Sequence, residues 1–164
     1  MIPIEITILA IDVDGTLTDG KIYMGAEGEA LKAFNIKDGY AIACLGQFGI
    51  IPVIITGRTS VIVEKRAAEL KVKEVHQGVE NKKEVLELIR KKYMVEFSQI
   101  AYIGDDLNDI EAMKACGYAA CPADAVEEVK ANCAYVAKNR AGEGAVREII
   151  DNIIKGKKME NGKK

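Results

Sequence analysis

No apolar run in this sequence approaches the roughly 20 residues needed to cross a bilayer. The early run from Ile6 to Ile11 leads directly into carboxylates, and the start lacks the basic-then-apolar pattern of a secretory signal. A cytoplasmic chain is expected. Positive charge is also in short supply: 23 Lys and Arg against 25 Asp and Glu leave a formal net charge of -2. That balance provides no cationic field for nucleic acid, so neither nucleic acid nor membrane is expected as a partner. The four cysteines, Cys44, Cys116, Cys121 and Cys133, never fall in Cys-x-x-Cys spacing, and a chain of this size needs no disulfide staples. They read as small buried hydrophobes. Histidine occurs once, at His76, where its place near a strand end reads as structural or exposed rather than as a general base.

What is present reads as one soluble domain. With 164 residues, 49% of them hydrophobic and 29% charged, the chain can bury about two thirds of its unfolded surface around a single core. Apolar stretches of strand length recur at Ile6 to Val13, Ile51 to Thr56, Ile100 to Ile103, Gly117 to Ala120 and Ala134 to Val136. Their continuous character predicts strands buried on both faces of a parallel sheet. Between and after them, Val61 to Leu70, Lys82 to Tyr93, Asp109 to Cys116, Ala125 to Ala131 and Ala145 to Ile154 place apolar residues at helical spacing. The alternation predicts a doubly wound α/β domain over residues 1–155. Residues 156–164, rich in Gly, Lys and Asn, are expected to fray.

One segment interrupts the alternation. Residues 21–24 and 30–34 flank the turn-rich Gly25-Ala26-Glu27-Gly28, which predicts a β-hairpin at about 21–34. Its Ile22, Met24, Leu31 and Phe34 look exposed on a ribbon that is marginal alone. Packing against copies of itself would cover them, so a homo-oligomer is expected.

In an open parallel sheet, function gathers at the carboxyl ends of the strands. Here those ends carry Asp12-Val13-Asp14-Gly15-Thr16-Leu17-Thr18, then Thr56-Gly57-Arg58, then Gly104-Asp105-Asp106-Leu107-Asn108-Asp109, while Lys82 opens a helix between the last two. Converging carboxylates repel by roughly 4 kcal/mol per pair at about 4 Å and intermediate dielectric. A divalent cation relieves this, and an all-oxygen set without Cys or His favours Mg²⁺ over zinc. Asp12 is then placed to attack phosphorus, with Asp14 protonating the leaving oxygen and later activating water. Thr56 can donate to phosphate, Lys82 supplies a positive charge, Gly15 and Gly57 allow backbone N–H groups to approach, and Asp105 is the third metal contact.

These ordered motifs resemble the haloacid dehalogenase superfamily of phosphohydrolases. The resemblance implies Asp12 as nucleophile, Asp14 as general acid and base, and Mg²⁺ held by Asp12, Asp105 and the Asp14 backbone carbonyl. It further implies Thr16, Thr56, Gly57 and Lys82 as phosphate or substrate contacts, with Asp106 and Asp109 as supporting acids. Only about forty residues separate Asp14 from Thr56, so no cap domain is expected and a neighbouring subunit would serve as lid. More narrowly, the first motif through Asp19-Gly20, Phe34-Asn35-Ile36-Lys37-Asp38-Gly39, Ile55-Thr56-Gly57-Arg58 and Gln77-Gly78 through Asn81-Lys82 resemble the 3-deoxy-D-manno-octulosonate 8-phosphate (KDO 8-phosphate) phosphatase family. That resemblance implies a sugar acid phosphate substrate, a homotetramer and a cytoplasmic role in lipopolysaccharide synthesis. Arg58 and Arg66 fit the substrate's second negative group by charge and position. The glycine-rich segment around Gly142 and Gly144 departs from the family pattern, with Glu143 where arginine is frequent. A phosphatase of nine-carbon sugar acids and a non-catalytic oligomerisation module of the same fold are the competing readings. A signalling receiver is disfavoured, because its phospho-acceptor would end a middle strand and no second acid would follow two residues on.

Overall fold

Every residue of the first strand, β1 (Ile8–Ile11), is buried, because apolar neighbours flank it on both edges and cover both faces. The computed structural model describes residues 5–161, with side chains through residue 157. Its main sheet comprises β1, β4 (Ile51–Ile55), β5 (Glu74–His76), β6 (Ile100–Ile103), β7 (Tyr118–Cys121) and β8 (Tyr135–Val136). The order is β5-β4-β1-β6-β7-β8 and every pairing is parallel. Ile11 pairs with Ile54 on one side and Ile103 on the other. The residues that follow β1, β4 and β6 therefore emerge at one level of the sheet, side by side.

Successive strand residues point to opposite faces, which divides the core into two layers. Leu9, Ile11, Ile54 and Ile103 pack with Ile42 of α1 (Ile36–Cys44), Val63 and Ala67 of α2 (Val61–Glu69), and Ile149 and Ile150 of α6 (Ala145–Asn161). On the other face, Ile8, Ala10, Val53 and Tyr102 pack with Leu86 and Ile89 of α3 (Lys82–Tyr93), Met113 of α4 (Ile110–Ala115) and Val129 of α5 (Glu127–Lys130). This is the doubly wound α/β arrangement expected. α3 and β6 keep their predicted bounds, and the other predicted elements shift at one or both ends. Two elements had not been expected: β5, and α1, which Asn35 caps by accepting from the Lys37 N–H at 2.8 Å.

α6 runs to Asn161, past residue 156 where a frayed tail is expected; residues 162–164 lie outside the described residues. Lys157 helps hold it, donating to the carbonyls of Ile6 at 2.8 Å and Phe48 at 3.1 Å. At the other end of α6, the buried Asp38 of α1 accepts from the Arg147 N–H at 2.7 Å.

The predicted hairpin is present as an antiparallel pair, β2 (Tyr23–Gly25) and β3 (Gly28–Leu31), in a sheet of its own. Ile22, Met24 and Leu31 are exposed. Phe34 is not: it packs against the core beside α1 and α2. All four cysteines are free thiols, Cys121 buried and the other three half-buried.

Candidate active site

The loop after β1 is a tight coil in which the N–H groups of Thr16, Leu17 and Thr18 all point at the Val13 carbonyl, at 3.2, 2.9 and 3.0 Å. Gly15 makes the coil possible at φ 89°, a conformation L side chains rarely adopt. A Cβ at Gly15 would also collide with the carboxylate of Asp105. The turn thus presses the first motif against the third, and the Thr16 hydroxyl seals the contact by donating to Asp105 Oδ1 at 2.7 Å.

Asp12, at the end of β1, donates its N–H to the Ile103 carbonyl at 3.0 Å and so extends the ladder into the site. One carboxylate oxygen from each of Asp12, Asp105 and Asp109 lies within 4.8 Å of the others. Lys82 enters from the first turn of α3, its Nζ 2.9 Å from Asp12 Oδ1 and 2.6 Å from Asp109 Oδ1. Asn81 fixes the start of that helix by accepting from the Glu84 N–H at 3.3 Å. Asp109 is fully buried and engaged at both oxygens. Besides Lys82, Oδ1 accepts from the Tyr102 hydroxyl at 2.8 Å, while Oδ2 accepts from the N–H groups of Asp105 at 3.0 Å and Asp106 at 3.2 Å.

Charge is costly here. Burial first, and then the Asp109 charge, push the Asp12 carboxyl up to about 6 against the pull of Lys82. Burial likewise leads for Asp105, where the Thr16 hydrogen bond acts against it, the charges of Asp12 and Asp109 add to it, and the carboxyl is pushed up to about 8. For Lys82, burial works against the ammonium, but Asp12 and Asp109 outweigh it and its pKa is raised. Tyr102 is held well above the ordinary phenol range by burial and by the same two carboxylates, so it serves as a hydroxyl donor. Three carboxylates against one ammonium leave negative charge unbalanced in a low-dielectric setting. A hard divalent cation suits the all-oxygen set, and Mg²⁺ takes one or two carboxylates at a time. Asp12 and Asp105 retain acceptor capacity for it, whereas Asp109 has spent both oxygens holding the site together.

Asp14 faces a second group of charges. The Lys32 ammonium bonds Asp14 Oδ1, and Arg58 Nε stands 4.0 Å from Asp14 Oδ2. Lys32 also pairs with Glu29 Oε1 at 2.7 Å, and Glu29 Oε2 accepts from the Ser60 hydroxyl at 2.5 Å. Thr56 is buried beyond β4, its N–H donating to the His76 carbonyl at 2.9 Å and its own carbonyl accepting from the Val79 N–H at 3.1 Å. Gly57 follows it, with the Asn108 side chain close by. Asp106 is exposed and caps a short turn, accepting from the Leu107 N–H at 2.7 Å.

Two predicted contacts, Thr16 and Arg66, are engaged by other residues of the chain, while His76, expected to be structural or exposed, and Glu143 lie apart from these groups. Thr16 has no exposed surface and donates its hydroxyl hydrogen bond to Asp105, bracing the acid cluster. Arg66 is not brought to the group: its Nη1 is 2.7 Å from Glu69 Oε2, and its guanidinium lies 5.7 Å over the Phe34 ring beside Gly39 of α1. His76 Nε2 lies 3.4 Å from Glu74 Oε2, and Glu74 also takes Lys92 and the Tyr93 hydroxyl at 2.6 Å, so the histidine belongs to a β5–α3 cluster. Glu143 is exposed, beside Gly142, whose carbonyl accepts from Asn35 Nδ2 at 3.2 Å. Conversely, sequence reasoning missed Lys32, Glu29, Ser60 and Tyr102. Only Tyr102 carried a signal, as a phenol inside an otherwise aliphatic buried strand, where its hydroxyl must find a partner.

Residues 73–150 match the model of haloacid dehalogenase-like hydrolases. The chain is 41% identical over 150 residues to 3-deoxy-D-manno-octulosonate 8-phosphate phosphatase KdsC of Escherichia coli, covering 92% of this chain and 80% of that protein. Its fold is similar to the crystal structure of the phosphatase of that name from Yersinia pestis, with TM-score 0.91 and 40% identity, covering 96% of this chain and 85% of that one. It is similar too to the Moraxella catarrhalis phosphatase, a structure in complex with magnesium, phosphate and KDO, with TM-score 0.90 and 39% identity over 96% of this chain and 90% of that one. On this sequence likeness, together with the shared fold, the chain belongs to the 3-deoxy-D-manno-octulosonate 8-phosphate phosphatase family of haloacid dehalogenase-like hydrolases.

Proposed function

We propose that this chain hydrolyses KDO 8-phosphate to KDO and phosphate, with Mg²⁺ and through a phosphorylated Asp12. The observation that carries the reading is the meeting of Asp12, Asp105 and Lys82 around one point, with a second acid, Asp14, two residues from the first. Asp12, Asp105 and the backbone carbonyl of Asp14 would hold the metal. Bound Mg²⁺ neutralises charge on the carboxylates and on the transferring phosphoryl oxygens.

A carboxylate oxygen of Asp12 attacks phosphorus and forms an acyl phosphate. As the P–O bond to the sugar breaks, the Asp14 carboxylic acid gives its proton to the departing alkoxide. Asp14, now ionised, takes a proton from water; the hydroxide attacks phosphorus, releasing phosphate and restoring Asp12. Lys82 balances charge on Asp12 throughout. The Thr56 hydroxyl and the Gly57 N–H serve as phosphate donors. Arg58 is half-exposed above Asp14, within reach of a sugar carboxylate.

The test measures phosphate release with Mg²⁺ across KDO 8-phosphate, nine-carbon sugar acid phosphates and simple sugar phosphates. Preference for the eight-carbon acid and loss of turnover in Asp12→Asn are expected. Glu143, exposed on the glycine-rich loop, favours the nine-carbon acids as the second reading, and preference for them would replace the first. The chain is further proposed to form a tetramer through its hairpins, supported by the exposed Ile22, Met24 and Leu31 on a ribbon unpaired with the main sheet. A monomeric mass by sedimentation would refute that.

A further inference from the structure

We infer that Lys32, on the hairpin, is a positioning residue for Asp14, and that Glu29 and Ser60 hold it there. The inference rests on the reading of Asp14 as general acid and base, and extends it to residues outside the motifs. Lys32 follows β3, eighteen residues from Asp14 in the chain, yet its ammonium bonds Asp14 Oδ1 directly. Its side chain is 1% exposed, so it meets carboxylates of this chain and not a ligand in solution. Arg58, 46% exposed, is the cation left facing outward from the same group.

A buried ammonium on a long flexible stem holds one place only if its other bonds are fixed. Here they are fixed from two further segments. Glu29 Oε1 pairs with Lys32 at 2.7 Å, and the Ser60 hydroxyl, at the threshold of α2, holds the other oxygen of Glu29 at 2.5 Å. Ser60 is itself placed through its N–H, which donates to Gln77 Oε1 at 2.8 Å. The chain Gln77, Ser60, Glu29, Lys32, Asp14 thus joins the loop after β5, the start of α2 and the hairpin to the first motif. The Asp14 carboxyl is set by a cation whose own position is determined from behind.

Asp14 serves two steps, but its activation of water follows departure of the leaving group and does not enter kcat/KM, so in that constant loss of Lys32 must depend on the leaving group. For Lys32→Met, kcat/KM on KDO 8-phosphate is expected to fall by on the order of 10²-fold, the lower part of what a misplaced general acid costs. On p-nitrophenyl phosphate, whose leaving group departs without a proton, the fall is expected to stay below about threefold by the same reasoning. Lys32→Arg should recover part of the lost rate. Glu29→Gln, which loosens the lysine without removing it, should show the same selectivity at about tenfold and carries the test if the methionine variant does not fold. Asp14→Asn is the benchmark. If it shows the leaving-group selectivity while the Lys32 and Glu29 variants lose both substrates equally or lose neither, the inference is overturned. If Asp14→Asn itself loses kcat/KM on both substrates equally, the acid assignment beneath it has failed instead.

Discussion

Loading the site with Mg²⁺ should expel protons, and the number can be worked from the two carboxyls that would bind it. Asp12 is pushed up to about 6 and Asp105 up to about 8 in the metal-free protein, whereas a metal-bound carboxylate is ionised. At pH 7 the two acids then hold about one proton between them, which binding releases. At pH 5 both carry protons and release approaches two; at pH 9 it falls to about a tenth of a proton. Calorimetric titration with Mg²⁺ in buffers of different ionisation enthalpy reads this count directly. The same shifts act on stability. Both acids have folded values above their unfolded value near 3.8, so the metal-free fold binds protons more tightly than the unfolded chain. Their contribution is complete below about pH 4 and is lost as pH rises through 6 and then 8. Saturating Mg²⁺ should abolish that loss. Release of no proton at pH 7, or a metal-free melting temperature that these acids leave unchanged between pH 5 and 8, would refute the argument that burial and mutual repulsion prepare the pair for a cation.

Two substitutions test the frame around that pair. Tyr102→Phe removes a buried hydroxyl from the Asp109 carboxylate and should cost about 2 kcal/mol, as for a hydrogen bond to a charged acceptor; a loss under about 0.5 kcal/mol in urea unfolding would show that the other three donors to Asp109 suffice. Gly15→Ala meets both a left-handed φ of 89° and the Asp105 carboxylate. By displacing a carboxylate that would hold the metal, it should weaken Mg²⁺ binding by at least roughly tenfold to a hundredfold, the cost of disturbing even an outer-shell group, and an unchanged calorimetric affinity would contradict the packing described for that turn.

The residues with intrinsic chemistry were legible in the sequence because three strand ends gave them away. Asp12, Thr56 and Asp105 follow apolar runs of strand length, and the parallel register brings those strand ends level. What stayed hidden depends on contacts between distant segments. β5 has the sequence Glu-Val-His, and no apolar pattern announces it; its buried Glu74 is partnered by Lys92 and Tyr93 of α3. α1 buries Asp38 and Gly39 alongside Ala41 and Ile42, since Asp38 anchors the start of α6 and Gly39 leaves no room for a Cβ beside Arg66. Charge and position favoured Arg66 as a ligand contact, but an aromatic ring and Glu69 claim it first. Lys32 follows a short two-stranded ribbon where lysine is ordinary, and nothing nearby in sequence says that it turns inward.

The central place of β1 also has a consequence for biosynthesis. Its two partners, β4 and β6, begin at residues 51 and 100, so the segment that leaves the ribosome early keeps an unpaired edge until well over half the chain has followed. An exposed apolar edge of that kind invites pairing with other nascent chains. Premature termination before residue 100 should therefore yield aggregates and not a smaller soluble protein.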